Sequence, residues 1–420
     1  MYNKVKVLAI TILFKVSAAF LKFISFFFYK KTTNILFVPE SACKSNCLDI
    51  INYSADNLLS FLNYLLRNYN GIMLTIHLVC YNKNRILEYE KYVKSFHNKN
   101  LQIKYIPYNG EASFKQPIKS LKNTYQFYLT FLKCRYIFTS DALMRFSYKL
   151  KKQTYISLNY FTPFKLDTPK IDKNTSIEYV VSTSKLSSQI VSTSAKVPIE
   201  NFLNLGFSRN DNILTPRFSR EKLIDMLEVS YKIDKIITYS PTHRDYERGK
   251  STLRNILGYD GSYEDLENIL KKHSAILIIK LHPGHNMDCI EIVDNFRIFI
   301  YKPNYQYNLY DIYAHTDLLI TDYTSAYFDF LLTDKPVIFN FYDKEIYEKT
   351  RGFSYDPVES ICAGPIVKKK DDFLISIEEA LSGKDEYKNH RNFINTLMNK
   401  YSDGDSSKRI LNFFKTKLIK

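Results

Sequence analysis

The chain has 420 residues, which is long enough for two domains with cores of their own. Its hydrophobic share of 45% and charged share of 24% exclude wholesale disorder. Lys and Arg number 59 against 43 Asp and Glu, and the net charge of +16 predicts anionic partners such as phosphorylated substrates, nucleic acid or acidic lipid. Of the six cysteines only Cys43 and Cys47 are close in sequence, which favours neither a disulfide framework nor a structural zinc site.

Residues 1–31 predict an amphipathic helix. Lys15 and Lys22 interrupt its apolar run, which is not typical of a secretory signal. At 100° per residue the lysines fall near one side and the large apolar groups opposite, as in a helix lying in the interface of an anionic membrane. Two alternatives stay open: a helix docked on the protein's own core, and a tilted spanning helix, which the two lysines would make costly.

Apolar runs of strand type then alternate with amphipathic stretches of helix type. In the first half, strands are predicted in residues 34–41, 72–80, 101–108, 134–141 and 153–160, and helices in 54–69 and 86–99. In the second half, strands are predicted in 235–241, 275–283, 297–302, 317–323 and 336–343, and helices in 262–274, 309–316, 325–334, 371–383 and 390–402. This alternation predicts two parallel α/β halves.

Two halves without a G-x-G-x-x-G or Walker motif favour a cleft enzyme built from two Rossmann-type domains. In such sheets, ligands bind beyond the carboxyl ends of the strands. At 321–330 (TDYTSAYFDF), Thr324 or Ser325 can cap a helix whose free N–H groups suit a phosphate, although an ordinary cap without a ligand has the same pattern. At 280–285 (KLHPGH), His282 follows a strand and can transfer a proton or contact a phosphate, or be satisfied within its loop.

Two further clusters follow predicted strands. At 239–249 (YSPTHRDYERG), His243 and Arg244 can grip a phosphate or belong to a solvated charged loop. At 348–356 (EKTRGFSYD), Arg351 offers the bidentate grip on phosphate that Lys lacks, or is a plain surface residue. Together the four clusters predict an anion-binding edge of one sheet. The sequence shows no nucleic-acid-binding signature and no paired carboxylates for a metal, so neither partner is expected.

The order and wording of these motifs resemble the CDP-glycerol glycerophosphotransferase family, which makes teichoic acids and related capsule polymers on the GT-B fold. The segments that carry the resemblance are GFSRND (206–211), YSPTHRD (239–245), KLHPGH (280–285), TDYTSAYFDFLLTDKPVIF (321–339), YEKTRGFSYD (347–356), AGPIV (363–367) and DGDSSKR (403–409). The resemblance implies that His282 functions in phosphotransfer. It also implies that Thr324 and Ser325 hold the nucleotide diphosphate at a helix start.

The resemblance implies further binding residues. It places Arg351 and Arg209, with Asn210 alongside, near the phosphates or the alcohol. Asp322 and Asp356 belong to the same sequence pattern of the family.

One departure from the family concerns the acceptor side. The family's H-G-T-P-x-K motif, whose His is its favoured base, corresponds to NYFTPFK (159–165), with Tyr160 at the His and Phe161 at the Gly. Because an unperturbed tyrosine has a pKa of about 10, Tyr160 is a poor base at neutral pH. We therefore expect the base to lie elsewhere, the acceptor site to be altered, or the activity to be low.

These observations predict a GT-B-like α/β transferase with three parts: a membrane-associating helix (1–31), an acceptor-side domain (32–205) and a CDP-donor domain (206–420). It would move glycerol or ribitol phosphate from a CDP-polyol to a hydroxyl of a lipid-linked or polymeric glycan, without a cofactor, peripherally at the cytoplasmic face of an anionic membrane. The alternatives are a GT-B glycosyltransferase that uses a nucleotide sugar, and a catalytically inactive relative that binds nucleotide or polymer.

Overall fold

The computed structural model describes most of the chain from residue 31 onward. The predicted N-terminal helix and the predicted site residues Tyr160, His243, Arg244 and His282 lie outside the described residues. The described residues are 31–38, 56–80, 83–107, 117–140, 150, 152–159, 162, 164–166, 177–195, 197–242, 264–280, 297–301 and 307–418. Within these ranges, no helix has both the length and the apolar character that crossing a bilayer requires.

Seven parallel strands form the first sheet. They are β1 (Lys31–Val38), β2 (Leu74–Cys80), β3 (Leu101–Pro107), β4 (Cys134–Thr139), β5 (Thr154–Ser157), β6 (Tyr179–Ser182) and β7 (Phe202–Asn204). Their spatial order is β3-β2-β1-β4-β5-β6-β7. Parallel neighbours need a crossover connection, usually a helix. The helices in this part are α1 (Asp56–Asn68), α2 (Lys83–Lys94), α3 (Pro117–Lys133) and α4 (Lys185–Ala195).

Helix α1 packs on the first sheet through one apolar face. Leu58, Phe61, Leu62 and Leu65 recur at intervals of three and four residues, and all four are buried. The ring of Phe61 lies 5.7 Å from that of Phe138 in β4. Helix α3 covers the opposite face of the same sheet. The amphipathic pattern of residues 54–69 therefore corresponds to a helix that covers one face of a sheet.

Six parallel strands form the second sheet. They are β8 (Lys235–Ser240), β9 (Ala275–Ile279), β10 (Ile298–Ile300), β11 (Leu318–Thr321), β12 (Val337–Asn340) and β13 (Ile366–Val367). Their spatial order is β10-β9-β8-β11-β12-β13. The helices that follow β7 in the described part of the chain are α5 (Asp211–Leu214), α6 (Arg220–Met226), α7 (Glu264–Lys272), α8 (Leu309–Tyr313), α9 (Ala326–Phe330), α10 (Lys344–Thr350), α11 (Lys370–Leu381), α12 (Lys388–Met398) and α13 (Ser406–Leu418).

The strands of the second sheet have continuous apolar sequences, and β9 shows why. All five residues of its AILII sequence are buried. Leu277 packs in the cluster that contains Leu270 of α7, whereas Ile276 and Ile278 pack in the cluster that contains Leu223 of α6. Helices on both faces leave no solvent-facing side for polar residues, as is usual for parallel sheets.

The last helix, α13, packs against the first sheet although it follows the second in sequence. The ring of Phe414 lies 5.1 Å from that of Phe138 in β4, and the ring of Phe413 lies 5.3 Å from that of Tyr179 in β6. Ile410 also belongs to the core cluster of the first sheet. The domain limits stay a prediction, but this helix, which was assigned to the range 206–420, completes the core of the first sheet.

The predicted α/β architecture of two parallel sheets is confirmed, and every predicted strand corresponds to one of β1–β5 or β8–β12. The sequence did not predict strands β6, β7 and β13, nor helices α3, α4, α5, α6, α10 and α13.

Candidate active site

The carboxyl ends of the second sheet's central strands meet at one edge. Thr321 at the end of β11 is in register with Ser240 of β8 and with Phe339 of β12. The backbone N–H of Lys280, directly after β9, donates to the carbonyl of Tyr239 in β8 at 2.8 Å. The strand ends that precede three of the predicted clusters, at 239–249, 280–285 and 321–330, therefore lie side by side, as parallel strands require.

Asp322 joins two of these strand ends and is fully buried. Its two carboxylate oxygens each lie 2.9 Å from the backbone nitrogen of Thr242, and Oδ1 also accepts from the Thr242 hydroxyl at 2.7 Å. Oδ1 lies 2.5 Å from the backbone nitrogen of Tyr323 as well. These bonds fix Thr242, so Asp322 holds the carboxyl end of β8 beside that of β11. Its predicted role in substrate binding stays a prediction.

Thr324 and Ser325 lie at the start of α9 and are partly exposed. Ser325 occupies the N-cap position with helical backbone angles (φ −66°, ψ −16°), and its hydroxyl makes no capping bond. The Thr324 hydroxyl accepts from the backbone N–H of Ala326 at a long 3.4 Å. A good N-cap needs an extended residue that folds its side chain back, so the expected cap is not formed at Ser325. The Ser325 hydroxyl is therefore not engaged in capping, and a ligand can use it.

Arg351 follows α10 and is exposed, and its backbone N–H donates to the carbonyl of Tyr347 at 2.8 Å. The next residue, Gly352, has a φ of +70°, which favours glycine. A Cβ atom there would lie 2.9 Å from Cδ1 of Leu166. Glycine at this position thus allows the chain after Arg351 to approach the first half closely.

The segment after Arg351 pairs with residues 164–166, which overlap the end of the stretch (159–165) that corresponds to the family's acceptor-side motif. The N–H of Leu166 donates to the carbonyl of Gly352 at 3.1 Å, and the N–H of Ser354 donates to the carbonyl of Phe164 at 3.0 Å. Lys165 and Phe353 form an isolated antiparallel bridge. Arg351 therefore lies beside a junction between the first half and the second half.

An aromatic cluster links the Arg351 loop to the start of α9. The ring centroid of Tyr323 lies 4.1 Å from that of Tyr347, in a stacked arrangement, and 5.3 Å from that of Phe353. The Tyr323 hydroxyl donates to Asp343 Oδ1 at 3.1 Å. Tyr323 directly precedes Thr324 in sequence. The same aromatic cluster therefore supports both the predicted diphosphate-binding pair, Thr324 and Ser325, and the Arg351 loop. The sequence reading missed these aromatic residues, although they stand inside the motifs that it singled out.

Arg209 and Asn210 are buried, with 3% of each residue exposed. The Arg209 guanidinium lies over the rings of Phe207 and Tyr310, and its Nη2 is 2.7 Å from Oδ2 of Asp329 in α9. Burial raises the pKa of Asp329, an effect that Arg209 opposes. The guanidinium is thus engaged inside the protein, and its predicted contact with phosphate or alcohol stays a prediction that this burial does not favour.

Two of the motifs that carry the family resemblance are hydrogen-bonded to each other. Asp211 of GFSRND accepts hydrogen bonds from the backbone N–H groups of Ser406 and Ser407 in DGDSSKR, both at 2.8 Å. Burial raises the pKa of Asp211 to about 6. Arg409 donates from Nε to the carbonyl of Leu205 at 2.9 Å. These two motifs attach α13 to the turn after β7.

The predicted site residues that the structure describes fall into three groups. Thr324, Ser325 and Arg351 have accessible side chains near the sheet edge and the junction. Arg209, Asn210 and Asp322 are buried. Asp356 is exposed five residues beyond Arg351. Among the described residues, no group of three or more His, Cys, Asp or Glu gathers in a way that could hold a metal ion.

Comparison with known proteins gives a family match over most of the chain. Residues 62–415 match the family model described as CDP-glycerol:poly(glycerophosphate) glycerophosphotransferase. The teichoic acid glycerol-phosphate primase of Bacillus subtilis is 31% identical over 240 residues, which cover 57% of each chain. The teichoic acid poly(glycerol phosphate) polymerase of Bacillus spizizenii is 30% identical over 245 residues, 56% of this chain and 58% of the relative. The aligned region thus spans little more than half of these relatives' length.

The solved structure of the wall teichoic acid polymerase TagF is similar in fold, with a TM-score of 0.69 at 17% identity over 93% of this chain and 90% of that one. The predicted resemblance to the family and the predicted GT-B-like fold are therefore confirmed.

Proposed function

We propose, from the premise that this chain belongs to the CDP-glycerol:poly(glycerophosphate) glycerophosphotransferase family, that it transfers a polyol phosphate from a CDP-polyol to a hydroxyl of a teichoic acid or related glycan. The polyol is glycerol or ribitol. The observation that carries the proposal is the accessible pair Thr324 and Ser325 at the carboxyl edge of the second sheet, supported by the same aromatic cluster as the Arg351 loop. This edge is where α/β sheets bind their ligands.

The reaction at this edge is a phosphoryl transfer. The acceptor hydroxyl oxygen attacks the phosphorus that bears the polyol, a new P–O bond forms, the bond to the bridging oxygen breaks, and CMP leaves. Such transfers depend mostly on alignment and on neutralising the phosphate charge. We assign that neutralisation to Arg351, whose guanidinium can hold two phosphate oxygens, and to the hydroxyls of Thr324 and Ser325.

The proton of the acceptor hydroxyl needs a base, and we assign this role to His282. Its motif begins at Lys280, directly after β9 at the same sheet edge, and histidine titrates near neutral pH. His243 and Arg244 follow Thr242 in sequence, shortly after β8, and are assigned to the donor phosphates. Tyr160 then serves to orient the acceptor hydroxyl and does not act as the base.

The amphipathic pattern of the N-terminal residues is the basis for a proposed membrane partner. We propose that residues 1–31 bind an anionic membrane at its cytoplasmic face, where a lipid-linked acceptor would be available. The lysines would lie among the headgroups and the phenylalanines below them. Deletion of these residues should abolish co-sedimentation with anionic vesicles, and salt should weaken attachment of the full chain. Resistance of the full chain to both salt and alkaline carbonate would instead indicate a spanning segment.

A donor screen tests the proposed activity. The purified chain is incubated with a teichoic acid primer and CDP-glycerol, CDP-ribitol or a set of nucleotide sugars, and released nucleotide and extended product are both measured. We expect CMP release and product with a CDP-polyol only. Turnover of a nucleotide sugar would assign the chain to the glycosyltransferases, and binding of CDP without product from any donor would assign it to the inactive relatives.

Arg351→Ala and Lys349→Ala form a matched pair for this screen. Both side chains are exposed cations two residues apart, at the end of α10. Only Arg351 stands in the loop that pairs with the first half. A specific donor contact predicts loss of activity in Arg351→Ala alone, whereas an effect of general positive charge predicts equal losses in both variants.

A further inference from the structure

A continuous chain of contacts connects the rim of the first sheet with α9. The side-chain amide of Asn57, in the first turn of α1, donates to the carbonyls of Leu158 and Asn159 at 3.2 and 2.6 Å, directly after β5. Its amide oxygen accepts from the backbone N–H of Arg209 at 3.2 Å. Arg209 in turn reaches Asp329 of α9 with its guanidinium at 2.7 Å. Two side chains thus connect the acceptor-side strand to the donor-side helix.

Helix α9 depends on such contacts for its position. It has only five residues, and a helix this short has little stability of its own. Successive residues fix it in three directions: the Tyr327 hydroxyl donates to the carbonyl of Ile361 at 2.9 Å, and the carbonyl of Phe328 accepts from Asn399 at 2.7 Å. Asp329 makes the third contact, a polar one that leads through Arg209 to the first sheet. Phe328 also packs on the first half, with its ring 5.7 Å from that of Phe164.

The chain of contacts is shielded from water. Asn57 is 1% exposed, Arg209 3% and Asp329 0%. Water cannot readily replace a buried amide or guanidinium that is removed, so the polar groups it leaves behind must shift or remain unsatisfied. Removal of the Asn57 side chain at one end of this series of contacts should therefore displace Asp329 at the other end.

We propose that Asn57 and Arg209 are positioning residues that fix the spacing between the acceptor-side segment after β5 and the hydroxyl pair at the start of α9. The inference rests on the proposed function, because that segment continues into residues 159–165, the counterpart of the family's acceptor-side motif. Arg209 acts through Asp329 and touches no phosphate. Misplacement on the order of 1 Å can lower the rate of such a transfer about a hundredfold.

A matched pair of asparagine variants tests the proposal. Asn57→Ala removes the contact at the start of α1. Asn98→Ala removes an equivalent contact at the other end of the same helix, where the Asn98 amide donates to the carbonyls of Leu65, Leu66 and Tyr69 at 3.2, 3.1 and 2.9 Å. Both variants should lose thermal stability to a similar degree. Only Asn57→Ala should lower kcat, by roughly tenfold to a hundredfold, with the KM for the CDP-polyol within about twofold of wild type.

Arg209→Lys distinguishes positioning from direct contact with phosphate. Lysine keeps the positive charge but loses the planar fork that spans the two rings and the carboxylate. Positioning predicts a lower kcat with unchanged CDP affinity by calorimetry. A direct phosphate contact predicts that CDP affinity falls together with kcat, and that result would overturn the assignment of Arg209.

Hydrogen exchange decides the question without relying on turnover. Amides of residues 326–330 should exchange at least about tenfold faster in Asn57→Ala than in wild type and be unchanged in Asn98→Ala, because only the first variant weakens the support of α9. Equal exchange in the two variants would refute the inference even if the transferase activity is confirmed. Faster exchange in Asn57→Ala, in a protein that turns over no donor, would support the contact chain and reject the proposed function.

Discussion

Replacement of Asp211 by Asn should change how the stability of the protein depends on pH. Asp211 is 8% exposed and holds the first two amides of α13 with its carboxylate. Burial raises its pKa to about 6 from an ordinary 3.8. A carboxyl group with a higher pKa in the folded state binds protons more tightly there than in the unfolded chain. Wild type should therefore lose stability as the pH rises from about 4 to about 6, and Asp211→Asn should lack this loss.

The size of the effect follows from the shift. The change from 3.8 to about 6 is roughly two pKa units, and each unit corresponds to about 1.4 kcal/mol. Between about pH 4 and pH 7, wild type should thus lose about 3 kcal/mol relative to Asp211→Asn. Urea unfolding followed by far-UV circular dichroism at several pH values measures this difference directly. Because the chain has no Trp, circular dichroism is a more suitable signal than tryptophan fluorescence.

Asp405→Asn is the matched control, since Asp405 is a half-exposed carboxylate directly before the same helix start. It removes a negative charge near α13 without removing a buried group. The reasoning would be refuted if the stability difference between wild type and Asp211→Asn were constant across the pH range. A wild type that gained stability relative to Asp211→Asn as the pH rose would show that the two amide hydrogen bonds outweigh burial.

Three other outcomes are expected. Arg351→Ala should weaken CDP binding by roughly ten- to a hundredfold in calorimetry, since a charge-assisted hydrogen bond contributes about 1.5–3 kcal/mol; unchanged affinity in the folded variant would place the donor elsewhere. Phe414→Ala should lower the free energy of unfolding by about 3–5 kcal/mol through a cavity beside Phe138, and a loss below about 1 kcal/mol would mean that α13 contributes little to that core. His282→Ala should remove most turnover, about a hundred- to ten-thousandfold, whereas Tyr160→Phe should cost little; equal losses would make the phenol catalytic.

The sequence predicted the elements whose apolar pattern follows from the burial of one or both of their faces. The AILII run of β9 is recognisable because helices cover both of its faces, and the spacing of Leu58, Phe61, Leu62 and Leu65 is recognisable because one face of α1 is buried. Such patterns report that an element is buried, but they do not report what it packs against. That limit explains why α13 was grouped with the second half, when Phe414 in fact contacts Phe138.

The candidate site was predictable only in part, for a related reason. Parallel strands place their carboxyl ends together, so the clustering of strand-end motifs follows from topology alone. The surroundings of Arg209 do not: its carboxylate partner, Asp329, is 120 residues away in sequence, and only the tertiary structure shows that the pair is buried. The role of Tyr323 was missed similarly, because its stacking on Tyr347 and Phe353 joins segments that the sequence separates.

The return of α13 to the first sheet has a consequence for synthesis on the ribosome. Phe414 and Ile410 belong to the core of the first sheet, yet they are made after all strands of the second sheet. The N-terminal half therefore cannot complete its core until the described strands of the second sheet and α13 itself have been made, although many multidomain proteins fold their first domain early. Until α13 arrives, the surface around Phe138 and Tyr179 lacks its cover. Throughout the synthesis of the second sheet, the nascent chain thus presents an apolar patch to chaperones.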